Sequence, residues 1–255
     1  MSLYTICFSP TGGTQKVVDI LAADWGEPAT AVDLSAPQGG CAGLSLQSGD
    51  ICLVAVPSFG GRVPAVAAER LAAVRGGGAM AVAIAVYGNR HYDDTLRELQ
   101  DVLEAGGFTC IAGIAAVAEH SIMRQFATGR PDAEDARQLR AFGQEIRRAI
   151  AQKALAPGLR LPGNVPYRDY GGVPFVPKAG KSCTRCGRCA AGCPVAAIPA
   201  GDPASTDKAL CISCMRCIAV CPAGARKVNR AALLAAGQKL KKACQEPKSN
   251  ALFLG

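Results

Sequence analysis

Apolar residues in the first 150 positions gather in short unbroken runs, separated by segments with helical spacing. The runs lie at residues 3–8, 50–56, 79–86 and 108–117, and Ile51-Cys52-Leu53-Val54-Ala55-Val56 contains no charged or amide side chain. A strand with one wet face alternates apolar and polar residues, whereas a strand covered on both faces is apolar throughout. Residues 29–34 read as a further strand. Between the strands, residues 14–25, 64–74, 92–104 and 131–153 read as helices. The first carries Val17, Val18, Leu21 and Trp25 on one face. The second opens on Pro64, whose missing N–H costs nothing at a helix start. Buried strands alternating with helices predict an α/β domain over residues 1–153, with a doubly wound, five-stranded parallel sheet.

That pattern stops near residue 154. Residues 154–180 hold Pro157, Pro162, Pro166, Pro174 and Pro177 among several glycines. Such a density of breakers excludes a helix or long strand and predicts a stiff, extended connector. Residues 181–228 carry most of the cysteines. Residues 229–255 read as a helix over 230–244 followed by a short tail.

Length and composition narrow the class. The chain has 255 residues, 49% of them apolar, and a formal charge of +8 from 28 Lys and Arg against 20 Asp and Glu. Such a chain buries one or two cores, which excludes a disordered protein and a disulfide-stapled mini-protein. The basic residues are scattered, with no helix-turn-helix or ribonucleoprotein signature, so no nucleic-acid partner is expected. No apolar run approaches the roughly 20 residues of a membrane span, and no signal-peptide pattern opens the chain. The expectation is a cytoplasmic protein, and there clustered cysteines point to metal rather than to disulfides.

Eight of the 13 cysteines occupy two runs, Cys183, Cys186, Cys189, Cys193 and Cys211, Cys214, Cys217, Cys221. Both read C-x2-C-x2-C-x3-C-P, and the second repeats the first at an offset of 28 together with Arg188/Arg216, Ala191/Ala219 and Ala197/Ala225. Three cysteines three residues apart curl around one cubane, and the fourth reaches the other cluster. One [4Fe-4S] cluster is therefore expected on Cys183, Cys186, Cys189 and Cys221, the other on Cys211, Cys214, Cys217 and Cys193. A pair of zinc sites is the competing reading, but zinc ribbons pair two CxxC units across a longer gap. The segment resembles the bacterial two-cluster ferredoxins, which implies a small α+β domain.

A second motif lies between the first strand and helix: Ser9-Pro10-Thr11-Gly12-Gly13-Thr14. Hydroxyls and glycines at such a turn aim N–H groups and a positive helix end at phosphate. Neither the dinucleotide fingerprint nor the P-loop spacing is present. The turn resembles the flavodoxin phosphate loop, which implies FMN and a sheet of order 2-1-3-4-5. By that resemblance two more loops reach the flavin: Pro57, Ser58, Phe59, Gly60 and Gly61, then Tyr87, Gly88, Asn89, Arg90, Tyr92 and Asp93. Phe59 and Tyr92 would flank the ring, and Gly60, Gly61, Gly88 and Asn89 would offer backbone groups to its polar edge. Phe59 stands where many flavodoxins carry Trp. Together the two modules resemble fused flavodoxin–ferredoxin proteins of anaerobic bacteria.

The resemblance implies electron transfer between two [4Fe-4S] clusters and FMN, with a soluble redox protein or flavoenzyme as donor or acceptor. Two alternatives stand beside it: a flavin-dependent reductase with its own organic substrate, and a redox sensor with structural clusters. Two clusters and one FMN would lower the net charge to about +2. Among the other residues, Cys7, Cys52 and Cys110 read as small hydrophobes in buried strands. Cys41 and Cys244 read as exposed thiols. His91 reads as a loop-rim residue and His120 as a loop histidine or flavin-edge acid. Arg62 and Arg90 read either as partners of a reduced flavin or as surface arginines.

Overall fold

The computed structural model describes residues 2–26, 28–37, 40–41 and 43–255. Its first part is built from strands β1 (Leu3–Cys7), β2 (Thr30–Asp33), β3 (Ile51–Pro57), β4 (Met80–Tyr87) and β5 (Thr109–Val117). These run parallel in the order β2-β1-β3-β4-β5. Helices α1 (Gly13–Ala22), α2 (Ala65–Ala72), α3 (Thr95–Ala105) and α4 (Ala133–Gln152) cover both faces. The sheet order and the doubly wound architecture are those the flavodoxin resemblance implied.

Alternate side chains of each central strand enter different cores, which explains the unbroken apolar runs. Cys52, Val54 and Val56 of β3 pack in one core with Leu71, Leu96, Leu99 and Leu103 from α2 and α3. Ile51, Leu53 and Ala55 pack in the other with Val17, Leu21, Leu139 and Ile146 from α1 and α4. Trp25 belongs to this second core. Asp132 caps α4 in a reciprocal capping box with Asp135, and Asp135 is itself buried against Arg130.

The connector packs along the α/β domain. Asp94 accepts from the N–H groups of Asn164 and Arg168, both at 2.7 Å, and Gln100 accepts from Leu161 N–H at 2.9 Å. Beyond it lie β6 (Lys178–Ala179), α5 (Arg188–Ala191), α6 (Arg216–Ala219), β7 (Arg226–Lys227) and α7 (Arg230–Cys244). β6 and β7 form a separate antiparallel pair. A third apolar cluster joins these parts to the sheet: Met123 from the loop after β5, Phe175 from the connector, Met215 before α6, and Leu233 and Leu240 on α7.

The short tail expected after α7 is a strand, β8 (Ala251–Leu254), which pairs antiparallel with β5 and gives the sheet a sixth member. Asn250 fixes its register: the side chain accepts from Val117 N–H at 2.9 Å and donates to Asp135 and Gln138 at 2.8 and 3.0 Å. Among the described residues, no helix is long and apolar enough to cross a membrane.

Candidate functional site

The cysteine segment folds twice in the same way. Left-handed backbone recurs at the sequence offset: Arg185 and Ser213 (φ 55° and 54°), Gly187 and Met215 (76° and 63°), Ala196 and Gly224 (51° and 55°). Holding a non-glycine residue there costs about 1–2 kcal/mol, so four such positions mark a conformation the segment must adopt. The turns gather the cysteines into two sets. Cys183, Cys186, Cys189 and Cys221 line one cavity, and Cys193, Cys211, Cys214 and Cys217 line the other. In each set the fourth sulfur comes from the opposite repeat.

The sulfurs also receive equivalent hydrogen bonds. Ala197 N–H donates to Cys193 Sγ and Ala225 N–H to Cys221 Sγ, both at 3.3 Å. Among the described residues, no three His, Cys, Asp or Glu side chains are grouped to hold a single metal ion. Four thiols around each cavity, one of them from the opposite repeat, match the ligand count and crossing of a two-cubane segment. Burial raises the Cys214 thiol to about 11 and Cys217 to about 12, and it raises Cys211 as well. Burial alone would do the same at Cys221, but N–H groups of Arg226, Ala225 and Ala223 outweigh it and hold that thiol below its ordinary value. Metal binding at the Cys211 set must therefore displace protons.

The three glycine-rich loops emerge together at the C-terminal ends of the adjacent strands β1, β3 and β4. Gly12 starts α1 in a left-handed conformation (φ 90°) without a side-chain cap. Ser9 Oγ accepts from Gln15 N–H at 2.9 Å, Thr11 and Gly12 are exposed, and Thr14 is buried. Ser9 thus takes one N–H of the first turn, and because Gly12 offers no side-chain cap the N–H groups of Gly13 and Thr14 are placed to meet an anion. Phe59 and Arg62 close a tight turn on each other, with Gly60 and Gly61 at φ 62° and 91°. Tyr170 of the connector packs directly against Gly60: a Cβ there would stand 2.1 Å from its ring. The second and third loops are tied by Asp94 N–H to Gly61 O at 3.0 Å and by Thr95 Oγ1 to Ser58 Oγ at 2.8 Å.

Several side chains in these loops have other partners. Phe59 meets Phe8 edge-on at 6.4 Å, whereas Tyr92 stacks on His91 at 4.8 Å and meets Tyr87 at 5.4 Å. Tyr87 Oη donates to Ser249 O at 3.2 Å. Asn89 donates to Cys244 O and Glu246 O and accepts from Lys248 N–H, so its side chain holds the tail after α7. Arg90 pairs with Asp93, and Asp93 also with Arg168. Pro57 ends β3, and Gly88 packs directly against His120.

Residues 182–225 match the family of 4Fe-4S dicluster domains. The dicluster domain gives the chain iron–sulfur electron-transfer chemistry. No curated protein matches the chain. Among solved structures it is similar to the rubredoxin oxygen:oxidoreductase of the anaerobe Desulfovibrio gigas, at 18% identity and a TM-score of 0.38 over 60% of this chain. The match spans only 36% of that protein's length. It is also similar to a flavodoxin of Streptococcus pneumonia TIGR4, at 19% identity and TM-score 0.40, covering 58% of this chain and 99% of that one. A short-chain flavodoxin associated with a PDU bacterial microcompartment gives 16%, 0.38, 58% and 95%.

The dicluster domain sits over the loop-bearing edge of the sheet. Arg70 of α2 donates to Pro194 O at 2.6 Å, and Arg216 faces Asp33 at 3.7 Å. Ile212, between two cysteines of the second set, packs against the same core as Phe59. A cavity of about 950 Å³ lies there, lined by Phe59, Arg62, Tyr170, Cys211 and Ile212, with Lys178 and Lys208 on its wall. The first set points away: Cys186 is exposed.

Other sequence expectations are corrected. Arg62 is not a free surface cation. It holds Glu98 with two 2.8 Å bonds, donates to Arg168 O at 2.7 Å and lies 4.9 Å from the Tyr167 ring. Cys41 and Cys244 are buried, not exposed. His120 Nδ1 accepts from the N–H groups of Ile122 and Met123 at 3.2 Å. Burial, reinforced by the Arg90 charge, lowers its pKa to about 4, so the ring is neutral with its proton on Nε2. Sequence reasoning missed Tyr170 and the buried Arg226.

Proposed function

We propose that this chain transfers electrons between two [4Fe-4S] clusters and a bound FMN, and so links one-electron carriers to two-electron chemistry. Clusters pass single electrons and flavin accepts one or two, which is the chemistry these groups supply when bound. The observation that carries the reading is the pair of crossed four-cysteine sets, with the second set placed against the loop that carries Phe59. In this reading Cys183, Cys186, Cys189 and Cys221 hold the outer cluster, and Cys193, Cys211, Cys214 and Cys217 the inner one. A soluble redox protein meets the outer set at exposed Cys186. The start of α1, with Thr11, Gly12, Gly13 and Thr14, receives the FMN phosphate. Phe59, Tyr92 and the backbone of Gly60, Gly61, Gly88 and Asn89 serve the ring. Ala197 and Ala225 N–H groups stabilise thiolate charge in each set.

Anaerobic reconstitution tests this directly. The protein should take up about eight irons and one FMN per chain. Zinc in their place, or no flavin uptake by the folded protein, would defeat the proposal. The large cavity beside Cys211 favours a second reading, in which a small organic molecule is reduced there. Rapid reoxidation of reduced protein by a small molecule, without a protein partner, would select it.

A further inference from the structure

One half of the dicluster domain shows how the other is built to be met. The half around Cys193, Cys211, Cys214 and Cys217 touches the α/β domain through three residues. Pro194 O accepts from Arg70 at 2.6 Å, Ile212 packs against the same core as Phe59, and Arg216 faces Asp33 at 3.7 Å. At the repeat offset of 28 these residues match Pro222, Thr184 and Arg188. Pro194 is buried and Ile212 and Arg216 are half-buried, whereas Pro222, Thr184 and Arg188 are all exposed. The last three line the cavity of the Cys183/Cys186/Cys189/Cys221 set. The outer half thus turns to solvent the face that the inner half turns to the α/β domain.

The charges on that open face have one sign. Arg185 and Arg188 both line the cavity, both are exposed, and neither has an ion pair or a side-chain hydrogen bond among the described residues. Arg185 is peculiar to this half: its match, Ser213, is buried and donates to Val173 O at 3.0 Å. Lys181, also exposed, precedes the first cysteine. The third arginine on the wall, Arg226, is buried and shared, since its partners Thr206 and Pro177 line the second cavity. No carboxylate lines the outer cavity, and Asp202, beside lining Pro203, is the nearest in sequence. A bound cluster carries roughly −2 in either half, and in the inner half Arg216 faces a carboxylate all the same.

We infer that this face docks an acidic one-electron carrier protein, whose carboxylates meet Arg188 and Arg185 as Asp33 meets Arg216. The inference rests on the proposed electron-transfer reading and names the partner for it. In the transfer the carrier's reduced centre loses one electron and the outer cluster gains it, with no bond made or broken. Opposite charges steer such encounters, and salt weakens the steering.

The test is anaerobic stopped-flow reduction of reconstituted protein, after iron has been counted. The donors are a reduced acidic plant-type ferredoxin and, separately, reduced methyl viologen, a small cation. The ferredoxin rate should fall at least about tenfold between about 0.02 and about 0.3 M salt, and the viologen rate should not fall. Arg185→Glu combined with Arg188→Glu should lower the low-salt ferredoxin rate about tenfold and flatten its salt dependence, while the viologen rate holds or rises. Arg137→Glu combined with Arg148→Glu makes the same charge change at exposed sites of α4 and should leave the ferredoxin rate near wild type. A salt-independent ferredoxin rate in loaded wild type overturns the inference whether or not the variants fold. So does loaded wild type that viologen reduces and the ferredoxin does not. A loaded R185E/R188E protein that keeps the wild-type rate overturns it too, as does an equal slowing by the α4 pair. Protein that fails to load about eight irons, or that loads them and is reduced by neither donor, sinks the electron-transfer reading itself, which keeps the two failures apart.

Discussion

The guanidinium of Arg70 on α2 donates to the carbonyl of Pro194, the residue after Cys193, at 2.6 Å. The same side chain also donates to Leu34 O and Pro37 O, so one arginine joins the end of β2 to the dicluster domain. Hydrogen bonds from charged donors contribute about 1.5–3 kcal/mol. Arg70→Met should loosen the docked domain by that order while leaving iron content unchanged. Limited proteolysis between residues 180 and 230 should then become faster. Unchanged cleavage would show that the contact holds nothing.

The crossed ligand sets make a prediction that sequence order alone would not. Cys221→Ala should remove the cluster of the first triplet, and Cys193→Ala that of the second. Each variant should fall from about eight irons to about four. If Cys221→Ala instead abolished the second triplet's spectrum, the crossing would be wrong.

His120 sets a pH dependence. Its pKa is about 4 in the folded chain against 6.5 when free. The unfolded chain therefore binds the proton first as pH falls. The stabilising contribution is complete above pH 6.5 and is lost progressively between there and pH 4. The full loss amounts to about 3 kcal/mol. Urea unfolding at pH 7 and pH 5 should show wild type losing more stability than His120→Gln over that interval. Equal losses would contradict the buried neutral imidazole.

Asn250 satisfies Val117 N–H and meets Asp135 and Gln138 within the buried end of the sheet. Asn250→Ala leaves the Val117 N–H without a partner, at a cost of about 1–3 kcal/mol, and takes one bond from Asp135, which keeps Arg130. The expected result is a lower unfolding midpoint and trypsin cleavage after Lys248, which is protected while its backbone is bound by Asn89 and Arg130.

The α/β fold was legible because local patterns determine it. Apolar runs such as 51–56 record burial on both faces, and their order with the helices limits the topology. The dicluster domain was legible because thiol spacing is itself the geometry. β8 was not, since Ala251-Leu252-Phe253-Leu254 is too short to declare itself and its partner β5 lies far back in the chain. The pairing of Arg62 was not legible for a related reason: its partner Glu98 sits on a different element, and no local spacing reveals the pair. Arg226 had a signal, the mismatch with Ile198 at the repeat offset, which becomes informative once burial is known.

The chain leaves the sheet after β5 and re-enters it at β8. In topological terms the dicluster domain is thus an insertion within the sheet, attached at both ends, rather than a bead on a string. A bead can swing away on its linker. A doubly attached insertion cannot, and its separation from the glycine-rich loops is set by the same strand pairing that stabilises the core. The spacing between the cysteine segment and those loops is in this way written into the sheet itself.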